Sequence, residues 1–315
     1  MARAEPPAAR SVWTAAPPGQ PQARVRLLGD AIVFACPGMR NTTQRHAATL
    51  LCSTDGQALQ ARCQGHTVQA PALLIAPMAC KTVDALDRPL LLIDLEPGHP
   101  HYRHFQALAA PGVQALHGAP CAALQDLGRA FAAGRLQGQA VDAQVREAVA
   151  AVAHQLPQPK PLDPRVRKLM CLLDEDPGAE LERLAPLLGL SAHHASRLFH
   201  QGLGLPLRRY ALSIKIRAAA SFMGSGLALT QIAQAAGFVD SAHFAKVWAQ
   251  NYGAAPSRFF DTANTHIDQT DQPDWLLWYL AQRDRDLPPP APGAQTPWVH
   301  RRRTPRTPRL RTAAP

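Results

Sequence analysis

Two stretches of this sequence repeat one pattern about 48 residues apart: LERLAPLLGLSAHHASRLFHQGLG (181–204) and LTQIAQAAGFVDSAHFAKVWAQNYG (229–253). Each reads as a short helix, a turn at a Gly, and a second helix, with a small Ala four residues before the Gly: Ala185 and Gly189, then Ala233 and Gly237. The Ala lets a second helix cross close by, and the Gly accepts the positive φ that a tight interhelical turn demands. Ser191 and Asp240 stand where the N-caps of the second helices belong. Leu198 and Phe199, or Phe244, Val247 and Trp248, fall on one face of each. The outward set is His193, Ser196, Arg197 and His200 in the first unit and Ser241, Ala242, Ala245 and Lys246 in the second. A single unit is also what an ordinary bundle with glycine turns contains. Two units with the same Ala, Gly and cap, joined by one long helix candidate from Leu207 to Met223, point instead to a doubled helix-turn-helix.

The rest of the 315 residues bounds this reading. At that length two domains are expected, and 46% hydrophobic residues suffice for substantial cores. No run approaches the roughly 18 to 20 uninterrupted apolar residues of a membrane span, so no membrane partner is expected. Residues 1–23 lack a continuous apolar stretch and read as a disordered arm, not a secretion signal, which makes the cytoplasm the expected location. Cys36, Cys52, Cys63, Cys80, Cys121 and Cys171 form no C-x-x-C pair, so neither a disulfide framework nor a zinc ribbon is indicated. The net charge of +10 raises the prior for a polyanionic partner. Six of the Arg responsible lie in one tail, from Arg301 to Arg311, while residues 165–262 hold 11 basic and 7 acidic groups.

From 24 to 104 short apolar runs recur between Gly, Pro, Asp and Asn, the pattern of a small antiparallel barrel or sandwich. Residues 118–156 turn helical, with Val141, Val145, Val149 and Val152 on one face; this face suits either packing on the sheet or a subunit interface. PQPKPLDP (157–164) is a proline-rich connector between the 24–156 and 165–262 domains, and Asp163 and Pro164 fit the cap and first residue of a following helix. In the 263–315 tail, DWLLWYLAQRD (274–284) is one more helix candidate, followed by a disordered Arg-rich end that would add nonspecific phosphate contacts or none.

The segment from about 165 to 260 resembles the DNA-binding domain of the AraC/XylS transcriptional regulators. The resemblance rests on LGLSAHHASRLFHQGLG, on RRYALSIKIRAAA, and above all on IAQAAGFVDSAHFAKVWAQNYGAAPSRF. It implies an all-α domain of two helix-turn-helix subdomains joined by a linker helix, each placing its second helix in the major groove of double-stranded DNA. Carried over by position, the DNA contacts fall on His193, Ser196 and Arg197, then on Ser241, Ala242 and Lys246. Arg197 suits a bidentate contact to guanine, Lys246 a guanine or a phosphate, and Ala242 offers no more than a methyl to thymine. His243 is placed to hold the turn or touch a phosphate. Departures from the pattern are Pro186 inside the first helix, Ala228 in place of a capping Ser or Thr, and Phe259-Phe260 in place of Tyr-Arg.

Such regulators often carry a cupin-like β-barrel ahead of this domain, and 24–104 resembles one weakly, giving an α+β multidomain chain. The resemblance further implies a homodimer formed through 24–156, contact with RNA polymerase, and a small-molecule effector in an apolar cavity of the barrel. An active cupin metal site needs clustered His and Glu ligands, which are not supplied: His46 has Gln44 and Ala48 two residues either side, and Cys80-Lys81 stand where a later His belongs. No metal, cofactor or catalytic residue is therefore expected. The alternative from another class is a cupin-type metal-dependent enzyme with a helical appendage.

Overall fold

The computed structural model describes residues 11–19 and 21–268. Among these residues eleven strands form two sheets in the first part, and a twelfth returns to them from beyond the helical part. They are β1 (Val12–Trp13), β2 (Ala23–Leu28), β3 (Ala31–Cys36), β4 (Met39–Gln44), β5 (Ala48–Ser53), β6 (Leu59–Cys63), β7 (His66–Ala70), β8 (Ala72–Ile75), β9 (Cys80–Ala85), β10 (Leu90–Leu95), β11 (Val113–Leu116) and β12 (Thr265–Ile267). One sheet has the order β1-β4-β9-β6-β7 and the other β11-β8-β5-β10-β3-β2-β12.

The domain is layered. All six residues of β10 are buried, because both faces of its sheet are covered. Leu91, Ile93 and Leu95 join the core under the helices, whereas Leu90 and Leu92 face the five-stranded sheet. The helical layer consists of α2 (Ala119–Ala132) and α3 (Gln139–Ala153), after a single-turn α1 (Tyr102–Gln106). Gly134 and Gly138, both at positive φ, divide the 118–156 stretch into these two helices. Val141, Val145, Val149 and Val152 are buried within the chain, so this valine stripe is intramolecular core and not a subunit interface.

Two expectations need correction. The barrel does not close: β1 and β7 end one sheet, and β11 and β12 end the other, so the domain is an open pair of sheets. Closure requires hydrogen bonds across every edge, and local strand patterning does not encode them. The stretch read as an arm also contains β1, which pairs with β4. Its Trp13 ring adds to the pairing by meeting Phe34 at 5.9 Å and Phe259 at 6.0 Å. The helix candidate at 274–284 and the Arg-rich end lie outside the described residues.

Beyond the prolines come α4 (Pro164–Glu175), α5 (Leu181–Leu184), α6 (Ala192–Leu203), α7 (Leu207–Ala220), α8 (Leu229–Ala235), α9 (Ser241–Tyr252) and α10 (Pro256–Phe260). Asp163 caps α4 by accepting from the Arg165 N–H at 2.8 Å, and Pro164 is its first residue.

Candidate nucleic-acid interface

The two turns of the helical domain are built alike, bond for bond. In the first, α5 continues as a 3-10 turn (Ala185–Leu188) that accommodates Pro186, and Gly189 leaves it at φ +68°. The Leu190 N–H then donates back to the Ala185 carbonyl at 3.1 Å. In the second, Gly237 sits at φ +77° and the Phe238 N–H donates to the Ala233 carbonyl at 2.9 Å. This six-residue closure satisfies a carbonyl that the helix end would leave unpaired, and the left-handed Gly makes it possible. Ala185 and Ala233 are buried in the crossings, where a larger side chain would push the second helix away.

Each second helix starts and stops the same way too. Ser191 accepts from the His194 N–H at 3.3 Å, and Asp240 from the His243 N–H at 2.6 Å. Gly204 and Gly253 end α6 and α9 in the left-handed region. The buried stripes are Ala195, Phe199 and Leu203 in α6, and Phe244, Val247 and Trp248 in α9. Between the units α7 belongs to both cores: Tyr210 and Ile214 lie in the first, Ile216 and Ala218 to Ala220 in the second. The helix is therefore a shared beam, and it ends at Ala220, three residues short of the expected Met223.

This scaffold places every sequence-derived candidate on the outer side. His193, Ser196 and Arg197 are exposed on α6; Ala242 and Lys246 are exposed and Ser241 half-buried on α9. The two sets stand on separate helices. His243 packs edge-on against Phe238, with centroids 5.6 Å apart, so it helps hold the turn. Ala228 begins α8 with no side-chain acceptor, and Gln231 compensates by accepting from the Ala228 N–H at 3.0 Å. Phe259 meets Trp248 edge-on and Phe260 meets it at a tilt; Phe259 is buried and Phe260 half-buried against the same core, which explains apolar side chains at that point. Two features escaped the sequence reading. Val239 (88% exposed) and Leu187 (70%) are the large apolar residues most open to solvent among those described, and both sit in the interhelical turns that precede α6 and α9. The signal for Val239 was an apolar residue off the helical period next to the cap Asp240.

Among the described residues no three His, Cys, Asp or Glu side chains come together in a way that could hold a metal. His46 is buried, with its backbone N–H donating to Asn251 at 3.2 Å, and burial lowers its pKa to about 4.

A helix-turn-helix domain model matches residues 184–262. Among solved structures, an apo single-residue mutant of ToxT from Vibrio cholerae strain SCE256 is 13% identical, covering 73% of this chain and 97% of its own, with a TM-score of 0.52. ToxT from Vibrio cholerae O395 bound to (E)-4-(8-methylnaphthalen-1-yl)but-3-enoic acid is 14% identical, covering 77% and 98%, with a TM-score of 0.50. None of the curated proteins matches. The likeness to ToxT covers both the sheet-rich and the helical domain, and shows a common fold. Residues 184–262 are thus a helix-turn-helix domain, set behind a sheet-rich domain in a chain that shares the two-domain fold of ToxT.

Proposed function

We propose that this chain is a transcriptional regulator of the AraC/XylS type that reads a bipartite site in duplex DNA, with α6 and α9 in successive major grooves roughly 34 Å apart. The observation that carries the reading is the pair of matching turns, which present two polar helices outward from one beam. His193, Ser196 and Arg197 serve the first half-site and Ser241, Ala242 and Lys246 the second. Arg197 supplies the planar fork that guanine O6 and N7 accept. The chain acts in the cytoplasm, without catalysis, as a homodimer through 24–156 that contacts RNA polymerase. Among the described residues no helix is long and apolar enough to cross a membrane. Random-duplex selection with the full chain tests the assignment: a bipartite consensus is expected, and recovery of no preferred sequence overturns it.

A small apolar effector is the second part of the proposal. The enclosed cavity lies at the seam of the domains, where Val25, Ile32, Phe34, Met223, Trp248 and Tyr252 are among its walls. Three donors of lining residues, Trp13 Nε1, Arg45 Nε and Trp248 Nε1, are buried without a partner, which favours a ligand carrying hydrogen-bond acceptors. The free volume is about 20 Å³, so entry requires the walls to part. Thermal-shift screening of small carboxylic acids, repeated on Trp248→Phe, tests it. At least one acid should raise the melting temperature of the wild type more than that of Trp248→Phe; equal shifts in the two proteins, or none, reject this cavity.

A further inference from the structure

The strand β12 lies just beyond the matched helix-turn-helix segment, yet it is part of the N-terminal sheet. It runs parallel to β2, with Thr265 opposite Ala23, His266 opposite Arg24 and Ile267 opposite Val25. The Ala23 N–H donates to the Asn264 carbonyl at 3.1 Å, and the Asp268 N–H to the Val25 carbonyl at 2.7 Å. Asp268, 5% exposed, then ties the strand to the helical layer. Its carbonyl accepts from Arg26 Nη1 at 2.9 Å, and its carboxylate accepts from the Gly138 N–H, at the start of α3, at 3.1 Å. Arg26 also grips Asp142 of α3 through Nε at 2.9 Å and Nη2 at 2.8 Å. On the other side, Ile267 packs into the core of the second unit and covers Gly224, where an added Cβ would lie 3.4 Å from Ile267 Cγ1.

Gly224 belongs to the α7–α8 connection, the joint about which the second unit would turn relative to the first. The C-terminal end of α9 is attached separately: Asn251 takes the His46 N–H, and Asn41 Nδ2 donates to the Tyr252 carbonyl at 3.4 Å. We infer that Thr265–Asp268 is a positioning strap that, by pairing with β2 and covering Gly224, fixes the second helix-turn-helix unit relative to the first, so that a bipartite DNA site meets two recognition helices already set. The strap does not mask the reading face, since Ala242 and Lys246 are exposed while it is in place. With both units held, engagement of the second half-site costs little further ordering, and the two half-sites act as one site. With the strap open, each unit keeps its own contacts but the second pivots at the α7–α8 joint. This inference rests on the assignment of α6 and α9 as the DNA-reading helices.

The test uses the full chain and a bipartite duplex recovered by selection with it, beside a duplex whose second half-site is scrambled. Ile267→Ser with Asp268→Ala is expected to weaken binding to the bipartite duplex about tenfold and to leave the scrambled duplex within about twofold. A reversible lock guards against simple misfolding. Arg24→Cys with His266→Cys puts thiols on register-paired positions of adjacent strands, whose roughly 4.8 Å spacing a disulfide can bridge. In an Asp268→Ala, Cys80→Ser, Cys171→Ser background, oxidation of that one polypeptide should restore most of the affinity for the bipartite duplex, and reduction should remove it. Equal losses on both duplexes, tighter binding on release, or identical oxidised and reduced affinities would each overturn the strap. Recovery of no preferred duplex at all would overturn the DNA-reading assignment first, and the strap with it.

Discussion

The carboxylate of Asp240 accepts a hydrogen bond from the backbone N–H of His243 at 2.6 Å, closing the first turn of α9. Ser191 does the same for His194 in α6, at 3.3 Å. The acidic cap is shorter and carries charge toward the positive end of the helix. Asp240→Ala is expected to cost about 1 kcal/mol of stability and Ser191→Ala somewhat less, as measured by denaturant unfolding. Asp240→Asn and Ser191→Asp should retain most of it. An Asp240→Ala protein as stable as the wild type would show that the cap geometry is not what holds α9.

Arg197 and Lys246 occupy matching outer positions on α6 and α9, each six residues after its N-cap, but differ in what they would offer a base. The Arg fork fixes two parallel hydrogen bonds, whereas the Lys ammonium is a point charge. Arg197→Ala is therefore expected to relax the preference at one base pair of the selected site, a loss of about 1–3 kcal/mol confined to it. Lys246→Ala should weaken all sequences more evenly and reduce the salt slope by about one. Site-selection profiles of the two substituted proteins decide the matter, and an unchanged profile for Arg197→Ala would remove it from the base-reading set.

The helix-turn-helix units were legible because their determinants are local. A small residue, a left-handed Gly and a cap act within one turn of each other, and the buried stripe of Phe244, Val247 and Trp248 follows the helical period. The sheets were legible as strands but not in their closure. Whether β1 and β12 cap an edge depends on partners far along the chain, Arg40 for Val12 and Val25 for Ile267. A three-residue strand such as β12 has too few positions to show alternation. The valine stripe of α3 looked equally suited to a partner subunit or to the sheet layer, because periodicity reports that a face is covered and not by what.

Glu96 provides a pH signature of the contact between the domains. It is 4% exposed, in the turn after β10, and burial raises its pKa from an ordinary 4.5 to about 7, with Arg217 of α7 opposing the rise and Asp94 and Asp30 adding to it. Below pH 4.5 the carboxyl is protonated in the folded and the unfolded chain alike. Between 4.5 and 7 the unfolded chain releases the proton and the folded one keeps it, so this residue lowers stability as pH rises; above about 7 the loss is complete. Glu96→Gln should thus gain on the wild type from pH 4.5 to 7, by on the order of 3 kcal/mol, and hold that margin at higher pH. The difference between the two profiles removes the opposite trends of His46 and Lys81, whose pKa values burial lowers. A difference that does not change across this window would place the Glu96 proton elsewhere.

Arg103 is the matching link on the side of the first unit. From α1 its Nε donates to the Gly202 carbonyl at 3.0 Å, one of the last carbonyls of α6, and its Nη1 donates to the Lys160 carbonyl at 2.6 Å in the proline connector. One guanidinium therefore holds the sheet domain, the connector and α6 together, at the end of the helix dipole that favours a cation. Arg103→Ala should free the connector, weakening the docking of the first unit by about 1–2 kcal/mol once partial exposure is allowed for. Faster proteolytic cleavage within 157–163 is the expected readout. Arg103→Lys, with a single ammonium unable to serve both carbonyls in the same fork, should fall between the two. Cleavage at wild-type rate in Arg103→Ala would show that the apolar contacts of Val166 and Leu198 suffice to hold the joint without it.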